Sequence, residues 1–402
     1  MALAMVSLCR LTILALSPLL GAAALPAADY VSDARSIETL VNANYAYLDR
    51  FPGQRMPMTD ALRAEAGKVS SEPELIRYAE RALALLADHH AITGSSLKDS
   101  WAVFPSYGDL WVEPRDGKFV ISAVREDSPA ARAGIRAGDL LVAIGGQPTT
   151  AAVAAFWSDL GASGGGERDG YAVRVLAAGR RDRPRTLAIG HGNAPPREYS
   201  LANLYSGWRP SLPPVTAIPE GSSTRIRFND SLGDSDTIAA FDAALAKVAP
   251  GRKLVIDLTD TASGGNTSVA RAILGWFVKR PSAYQVHNLP SEERETGIPQ
   301  QWIEQVLPRR GKYWDGPVTV RVGRWTGSMG EGIAIGFAAV GKRVEGDRMA
   351  GCWARFTTIA SKNRGRSSNF RASVCRRLME RLAKRSCPVP PLHPVDLTAV
   401  RP

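Results

Sequence analysis

The sequence is poor in cysteine. It has four in 402 residues, at Cys9, Cys352, Cys375 and Cys387, and the long stretch between the first two has none. If Cys9 is removed with a leader, three remain, and an odd number without close metal-ligand spacing indicates neither a disulfide framework nor a zinc site. We therefore expect no metal, and a folded body held together by packing.

Long apolar runs are also lacking. Nothing downstream of the N-terminus approaches the ~20 apolar residues of a membrane-spanning helix. The short apolar run at residues 11–20 is followed by Gly21-Ala22-Ala23-Ala24, an A-x-A cleavage pattern. We predict that residues 1–28 are a signal peptide and that the mature protein is periplasmic or secreted, without an integral membrane segment. An uncleaved N-terminal anchor is the alternative.

The body of the chain has no basic patch, although the formal net charge is +11. Residues 349–402 hold 11 Lys and Arg against 2 Asp and Glu, so the other 348 residues carry only +2. A nucleic-acid-binding surface normally shows clustered Lys and Arg, and we therefore predict no nucleic-acid partner. The length predicts two or three domains.

Residues 29–97 are predicted to be a helical N-terminal region. One stretch places its apolar residues on a single helical face, with Ser71 as a plausible N-cap and Pro73 in the first turn. This helix is followed by Asp88-His89-His90. The apolar positions are Leu75, Ile76, Ala79, Leu83 and Leu86.

Residues 98–190 contain short apolar runs bounded by Gly, Asp and Pro, a pattern typical of strands. Residues 171–175 are one of the predicted strands. The sequence S-P-A-A-R-A-G-I-R-A-G-D from Ser128, followed by a strand and I-G-G, resembles a bacterial PDZ domain. That resemblance implies a β-rich domain that binds the C-termini of polypeptides. Its expected carboxylate-binding loop is formed by Tyr107, Gly108, Asp109 and Leu110. A plain turn before a strand is the alternative.

Residues 191–222 are rich in Pro, Gly and Ser and are predicted to be a linker. From residue 223 to 351 strands and helices alternate, which predicts a layered α/β domain. The predicted strands are 224–228, 253–258 and 318–322, and the predicted helices are 236–248, 267–278 and 328–340.

Ser328 is the first candidate for chemistry. In V-T-V-R-V-G-R-W-T-G-S-M-G-E-G a strand ends, a turn of small residues follows, and Ser328 opens a helix. Helix N-terminal N–H groups beside its oxygen would stabilise developing negative charge. The alternative is structural, because Ser328 and Glu331 also form the S-x-x-E pattern of a capping box.

Several further motifs accompany Ser328 in a fixed order. They are D-H-H at residues 88–90, K-L-V-I-D-L-T-D-T-A-S-G-G-N from residue 253, and G-D-R-M-A-G at 346–351. From about residue 37 to 351 the chain resembles the tail-specific (C-terminal processing) proteases, the S41 peptidases. The resemblance implies a multidomain α/β protein with a ClpP/crotonase-like layered core, acting as a serine endopeptidase on unfolded or C-terminal peptide segments without a cofactor. It also implies Ser328 as nucleophile, with Gly264, Gly265 and Met329 supplying oxyanion-hole N–H groups.

The resemblance leaves the general base to be chosen between two family branches. One branch uses a lysine at a position that Cys352 occupies here. The tricorn-like branch takes a histidine from the D-x-H motif, which assigns the base to His90, although His89 stands where that branch often has a serine. Neutral imidazole can accept the serine proton. A structural role for His90 at a helix end is the alternative.

The tail, residues 352–402, departs from the family pattern. Its acidic residues Glu380 and Asp396 match no motif for the orienting carboxylate that the histidine branch needs. We interpret the tail as a possible out-of-frame product, the alternative being a genuine basic extension that binds an anionic surface. Two functions therefore remain in competition: an active endopeptidase, and a catalytically inactive PDZ-containing peptide-binding protein with a damaged C-terminus.

Overall fold

The N-terminal region is helical, as predicted. The structure, a computed structural model, describes residues 29–205 and 212–351; the predictions made for the signal peptide and for the tail from Cys352 onward lie outside these residues. No helix in the described ranges is long and apolar enough to cross a membrane. The three helices of this region are α1 (Tyr30–Asn44), α2 (Asp60–Ala66) and α3 (Glu72–Ala84).

Helix α3 begins where the sequence predicts. The Ser71 hydroxyl accepts a hydrogen bond from the Glu74 N–H, and Pro73 lies in the first turn. Both features satisfy or remove N–H groups that have no partner within a helix. The buried face of the helix includes Ala79 and Leu83, so it packs into the core and delivers Asp88, His89 and His90 at a fixed place.

The second region is an antiparallel sheet with three helices. Its strands follow the order β1-β2-β3-β5-β6, with β4 paired to β3, which leaves β1 at one edge. In chain order the elements are β1 (Leu110–Arg115), β2 (Lys118–Val124), α4 (Pro129–Arg132), β3 (Leu140–Ile144), β4 (Gln147–Pro148), α5 (Thr149–Asp159), α6 (Glu167–Ala178), β5 (Arg185–Gly190) and β6 (Arg197–Leu201).

Two local predictions are wrong in this part of the chain. Residues 171–175, predicted as a strand, belong to α6, because a short apolar run cannot be assigned by periodicity alone when most of its residues are buried. The predicted linker contributes β6, which pairs with β5. The side chains of β6 are mostly exposed. This segment is a strand because its main chain pairs at the sheet edge, and its sequence shows no apolar pattern.

The third region confirms the predicted layered α/β arrangement. Its main sheet has the order β15-β13-β9-β8-β7, parallel except between β7 and β8. The elements are β7 (Val215–Glu220), β8 (Ser223–Phe228), α7 (Asp236–Ala246), β9 (Lys253–Asp257), β10 (Asp260–Thr261), α8 (Thr267–Leu274), β11 (Ser282–Asn288), α9 (Pro290–Thr296), β12 (Gln301–Val306), β13 (Val318–Val322), β14 (Trp325–Thr326), α10 (Met329–Ala339) and β15 (Arg343–Gly346). Strand β7 lies in the segment predicted as linker.

Two pairs of strands lie outside the main sheet of this region. Short strands β10 and β14 pair in parallel, with Asp260 opposite Trp325 and Thr261 opposite Thr326. Strands β11 and β12 form an antiparallel hairpin with α9 between them. The sequence did not predict this hairpin.

Buried polar contacts join the β-rich region to the layered core. Arg125, 2 % exposed as a side chain, donates from Nε to Asp260 Oδ1 at 2.9 Å and from Nη1 to the Ser106 carbonyl at 2.7 Å. The Trp325 indole N–H donates to the Gly108 carbonyl at 2.8 Å. Since Asp260 and Trp325 are paired residues of β10 and β14, this joint fixes the β-rich region against that strand pair.

Replacing Arg125 tests how much this joint contributes. Arg125→Met removes one of the two arginines that bind the buried Asp260 carboxylate, the other being Arg227 at 3.1 Å, so we expect the free energy of unfolding to fall by about 1–3 kcal/mol. Urea unfolding measures the loss. In the matched control, Arg115→Met, an exposed pair with Glu113 is removed, and the expected loss is below about 1 kcal/mol. Equal small losses in both variants would contradict a structural role for the buried pair.

Candidate active site

Ser328 lies in a strained turn between β14 and α10. Its backbone angles are φ 52° and ψ −114°, a conformation that non-glycine residues rarely adopt and that is concentrated at functional sites. Two hydrogen bonds fix the residues before Ser328. The Gly327 N–H donates to the Thr261 carbonyl at 3.1 Å, and the Thr326 hydroxyl donates to the Leu258 carbonyl at 2.7 Å. A sharp strand-to-helix turn of this kind presents the serine oxygen outward.

His90 lies beside Ser328 although 238 positions separate them in the sequence. Ser328 Oγ and His90 Nε2 are 3.3 Å apart, at the long end of a hydrogen bond and typical of an unliganded catalytic pair. Both residues are half-buried. The structure thus brings together the predicted nucleophile and the predicted base.

The turn that carries His90 is held by the end of α1. Asp88 Oδ1 accepts a hydrogen bond from the His90 main-chain N–H at 2.8 Å, and Asp88 Oδ2 accepts one from the Tyr45 hydroxyl at 2.7 Å. The Asp88 carboxylate therefore links the residue after α1 to the backbone of His90. The D-x-H motif pointed to Asp88, whereas no local pattern identified Tyr45, which is 43 residues away.

The Glu331 side chain binds main-chain N–H groups at the Ser328 turn. Its carboxylate accepts from the Ser328 N–H at 3.1 Å and from the Gly351 N–H at 2.9 Å, and the residue is 3 % exposed. Both hydrogen bonds of the capping box are present beside the Ser328–His90 contact, so the structural and the catalytic interpretations are compatible. Because Glu331 accepts the Ser328 N–H, that N–H is already engaged within the turn.

The glycine turn after β10 lies directly against the start of α10. A Cβ atom added to Gly265 would lie 2.0 Å from Met329 Cβ, so only glycine fits there. The turn is fixed at both ends, by a hydrogen bond from the Ser263 N–H to Asp230 Oδ1 at 2.8 Å and one from the Asn266 N–H to the Leu232 carbonyl at 2.9 Å. The structure thus brings Gly265 and Met329 together, with Gly264 one residue earlier in the same turn, and their role as oxyanion donors stays a prediction.

His89 has a different environment from His90. Its ring stacks on Tyr171 and is tilted against Phe104, with both centroid distances 4.6 Å, and its Nε2 accepts a hydrogen bond from Arg174 Nε at 3.0 Å. Burial, reinforced by the Arg174 charge, holds the pKa of His89 well below its usual range. His89 is therefore a neutral packing residue that attaches the histidine turn to the β-rich region.

The predicted carboxylate-binding loop faces the layered core. The Tyr107 and Gly108 N–H groups donate to the Val103 and Pro105 carbonyls, at 2.8 Å and 3.2 Å. Asp109 is fully buried in an ion pair with Arg185 at 2.6 Å, and Leu110 begins β1 with 2 % exposure. Through Gly108 the loop contacts Trp325, which precedes Ser328 by three positions in the sequence. The peptide-binding role of the loop stays a prediction.

Comparisons with known proteins found a sequence-family match and several solved structures at low sequence identity. A sequence family described as PDZ domain matches residues 120–156. A crystal structure of a CPAF mutant has a TM-score of 0.53 at 14% identity, over 86% of this chain and 88% of that one. The photosystem II D1 C-terminal processing protease has a TM-score of 0.49 at 16% identity, over 87% and 88%. A putative S41 protease from Bacteroides fragilis has a TM-score of 0.36 at 15% identity, covering 84% of each chain.

The predicted resemblance to S41 peptidases with a PDZ domain is confirmed as a likeness of fold and domain content. No curated protein matches the sequence. The branch of the family, and with it the role of His90, stays a prediction.

The Asp88 link can be tested by the reactivity of Ser328. Asp88→Asn and Tyr45→Phe each loosen the turn that holds His90, and a displacement of about 1 Å can slow a reaction up to ~100-fold. We expect the rate of Ser328 labelling by a fluorophosphonate to fall at least about 10-fold in both variants. Tyr313→Phe, which alters an exposed tyrosine, is the control. Unchanged labelling in Tyr45→Phe would show that the link does not position His90.

His89 predicts a pH dependence of stability. In the unfolded chain a histidine binds a proton near pH 6.5, whereas folded His89 stays neutral, so the unfolded state gains protons first as the pH falls. Stability therefore decreases below about pH 6.5, by at most about 1.4 kcal/mol per pH unit from this residue. His89→Asn, which keeps an acceptor for Arg174, should make that decrease shallower in urea unfolding between pH 7 and 5. Parallel curves for the two proteins would contradict the assignment.

Proposed function

We propose that this protein is a serine endopeptidase of the tail-specific type, with Ser328 as nucleophile and His90 as general base. The observation that carries the proposal is the 3.3 Å contact between Ser328 Oγ and His90 Nε2 at a turn with positive φ. A serine hydroxyl is a poor nucleophile at neutral pH unless a base is within hydrogen-bond reach. The substrates are unfolded or C-terminal polypeptide segments.

The proton follows a simple route. His90 Nε2 takes the proton of Ser328 Oγ as the oxygen attacks the scissile carbonyl carbon, and the carbonyl π electrons move to its oxygen. When the tetrahedral intermediate collapses, the C–N bond breaks and His90 gives the proton to the leaving amine. A water molecule, deprotonated by His90, then attacks the acyl carbon, the C–O bond to Ser328 breaks, and His90 returns the proton to Ser328 Oγ.

The oxyanion is assigned to backbone donors rather than to a side chain. Met329 begins α10, where the helix dipole favours negative charge, and Gly265 lies against it. Their N–H groups are the proposed oxyanion hole, with Gly264 as the alternative donor from the same turn. Preorganised donors of this kind are worth about 10²–10³ in rate each.

The β-rich domain is proposed to hold the substrate tail. Strand β1 stands at a sheet edge, and PDZ domains bind by adding a peptide strand to such an edge. The loop Tyr107–Gly108–Asp109–Leu110 leads into β1 and contacts Trp325, so a tail bound there would lie close to the Ser328 turn. Export to the periplasm or medium is proposed from the N-terminal apolar run and cleavage pattern alone.

Hydrolysis of an unfolded casein substrate by the purified protein tests the enzyme. Ser328→Ala and His90→Ala should each lower kcat by about 10⁴-fold or more, because a nucleophile and its base act as one unit. The double variant should be no worse than either single one. Ser158→Ala, on the exposed face of α5, is the matched control and should keep full activity. Circular dichroism of each variant verifies folding.

Three outcomes would contradict all or part of this function. Folded wild-type protein that binds peptides without turnover would instead indicate a binding protein. Turnover that survives Ser328→Ala would show that another group is the nucleophile. If Ser328→Ala abolishes turnover but His90→Ala keeps full activity, Ser328 remains the proposed nucleophile and His90 is not its base.

A further inference from the structure

The β11–β12 hairpin and α9 form a bridge between the two sides of the site. On the serine side, a Cβ atom added to Gly332 would lie 2.7 Å from Gln285 Nε2 and 3.6 Å from the Met329 sulfur. Gly332 is one helical turn after Ser328, and its N–H donates to the Ser328 carbonyl. Gln285 of β11 therefore packs on the first turn of α10.

On the histidine side, the bridge is attached through α9. Arg294 Nη2 donates to the Tyr45 carbonyl at 2.8 Å and to the Ala43 carbonyl at 3.1 Å. Tyr45 is the residue whose hydroxyl binds Asp88, beside His90. The segment 282–306 thus contacts the supports of both Ser328 and His90.

The direction of β11 places its later residues toward Ser328. A Cβ atom on Gly336 would lie 3.2 Å from Tyr284 Cδ2, and Gln285 lies against Gly332, so the strand advances toward the N-terminus of α10. The irregular pairing between Ala283 and Gln285 accounts for the contact of both neighbours with the same helix, and from Gln285 onward the pairing is regular. Side chains two residues apart share one face of a strand. His287 therefore continues from Gln285 on the face that packs on α10, in the direction of the Ser328 turn.

The same face carries the partners of these residues on β12. Glu304 is opposite Gln285 and Trp302 is opposite His287, and directly opposed residues share a face. The Trp302 and His287 rings are stacked, with centroids 5.2 Å apart and an angle of 14°. Trp302 remains 44 % exposed, so a large aromatic surface remains accessible to solvent.

The negative charge of Glu304, beside this aromatic pair, is compensated by its hydrogen-bond partners. Glu304 accepts from His287 Nε2 at 3.0 Å and from Arg271 Nη1 at 2.9 Å. The hydrogen bond from His287, followed by those from Tyr284 and Arg271, lowers the pKa of Glu304 to about 2. The carboxylate is ionised and already paired, so it offers little attraction to a cationic substrate side chain. The exposed part of Trp302 adds an aromatic surface beside this carboxylate.

We propose that Trp302, stacked on His287, forms a subsite that receives a large apolar or aromatic side chain of the polypeptide substrate near the bond attacked by Ser328. This inference rests on the proposed endopeptidase function. Aromatic faces bury large areas and stack favourably with other rings. Residues Gln285 and Arg294 are its supports, because they hold the hairpin to α10 and to the end of α1.

Cleavage preference is the direct test. Digests of casein, mapped by mass spectrometry, should show Phe, Tyr, Trp, Leu or Met enriched at one fixed position within about three residues of the cut bond. In a synthetic peptide built on a cleaved site, replacing that residue by Ala should lower kcat/KM about 10-fold, as expected for a lost apolar pocket contact. Trp302→Ala should lower kcat/KM about 10-fold for the aromatic peptide and less than 2-fold for the Ala peptide. Trp302→Phe should restore most of the preference.

The matched control is Ile303→Ala. Ile303 is adjacent to Trp302 and 58 % exposed, on the opposite face of the hairpin, so its removal should leave the preference unchanged. Equal effects of Trp302→Ala on both peptides, or an equal effect of Ile303→Ala, would overturn the subsite.

Labelling of Ser328 by a small fluorophosphonate separates this proposal from the function on which it rests. The reagent does not need the subsite, so Trp302→Ala should be labelled at the wild-type rate. Labelled, active wild-type protein with an unaltered preference in Trp302→Ala would overturn the subsite alone. Wild-type protein that is neither labelled nor active would overturn both proposals.

Discussion

The short parallel pair of strands β10 and β14 is the constraint on which the site depends. Each strand is two residues long, and each is followed by a turn, the glycine turn after β10 and the Ser328 turn after β14. Because the strands are parallel and in register, both turns leave from the same edge, as in α/β proteins generally. This is why Gly265 meets Met329. A shift of one residue in the pairing would separate the proposed nucleophile from one of its oxyanion donors.

So short a strand pair cannot be stable by its own hydrogen bonds. Strands of this length depend on their surroundings, and here the surroundings are polar and buried. Arg125 binds Asp260 from one side, and the Asp230 N–H donates to the Asp260 carbonyl from the other. Asp230 in turn accepts from the Ser263 N–H at the start of the glycine turn. A cation from the β-rich domain therefore helps to define the backbone of the proposed oxyanion hole.

The parts of the site that the sequence predicted are those with a local cause. The Ser328 turn could be predicted because a buried strand, small residues and an apolar helix follow one another directly. His90 was placed only through a resemblance of motifs, since no periodicity relates it to a serine 238 positions away. Tyr45, Arg125 and Trp302 were not predicted. Their positions follow from tertiary contacts of side chains whose local sequence is unremarkable for a helix end, a strand end or a hairpin.

The misassigned elements have physical reasons of the same kind. Residues 171–175 are apolar and β-branched enough for a strand, but α6 buries them against β1, and tertiary packing outweighs local propensity. Strand β6 has exposed charged side chains, so only its pairing with β5 marks it as a strand. In both cases the deciding interaction is with a segment distant in sequence.

The three regions contribute to one site in different ways, and this bears on how the molecule works. The helical region supplies His90 and, through Tyr45 and Asp88, the support of its turn. The β-rich domain supplies Arg125, and Arg174, which binds His89. The core supplies Ser328 and the proposed N–H donors. Since His89 and His90 are adjacent and bind different regions, a displacement of the β-rich domain relative to the core would act on the histidine turn through Arg174 and on the glycine turn through Arg125. The geometry of the proposed catalytic pair is therefore a property of the assembled chain rather than of the α/β core alone.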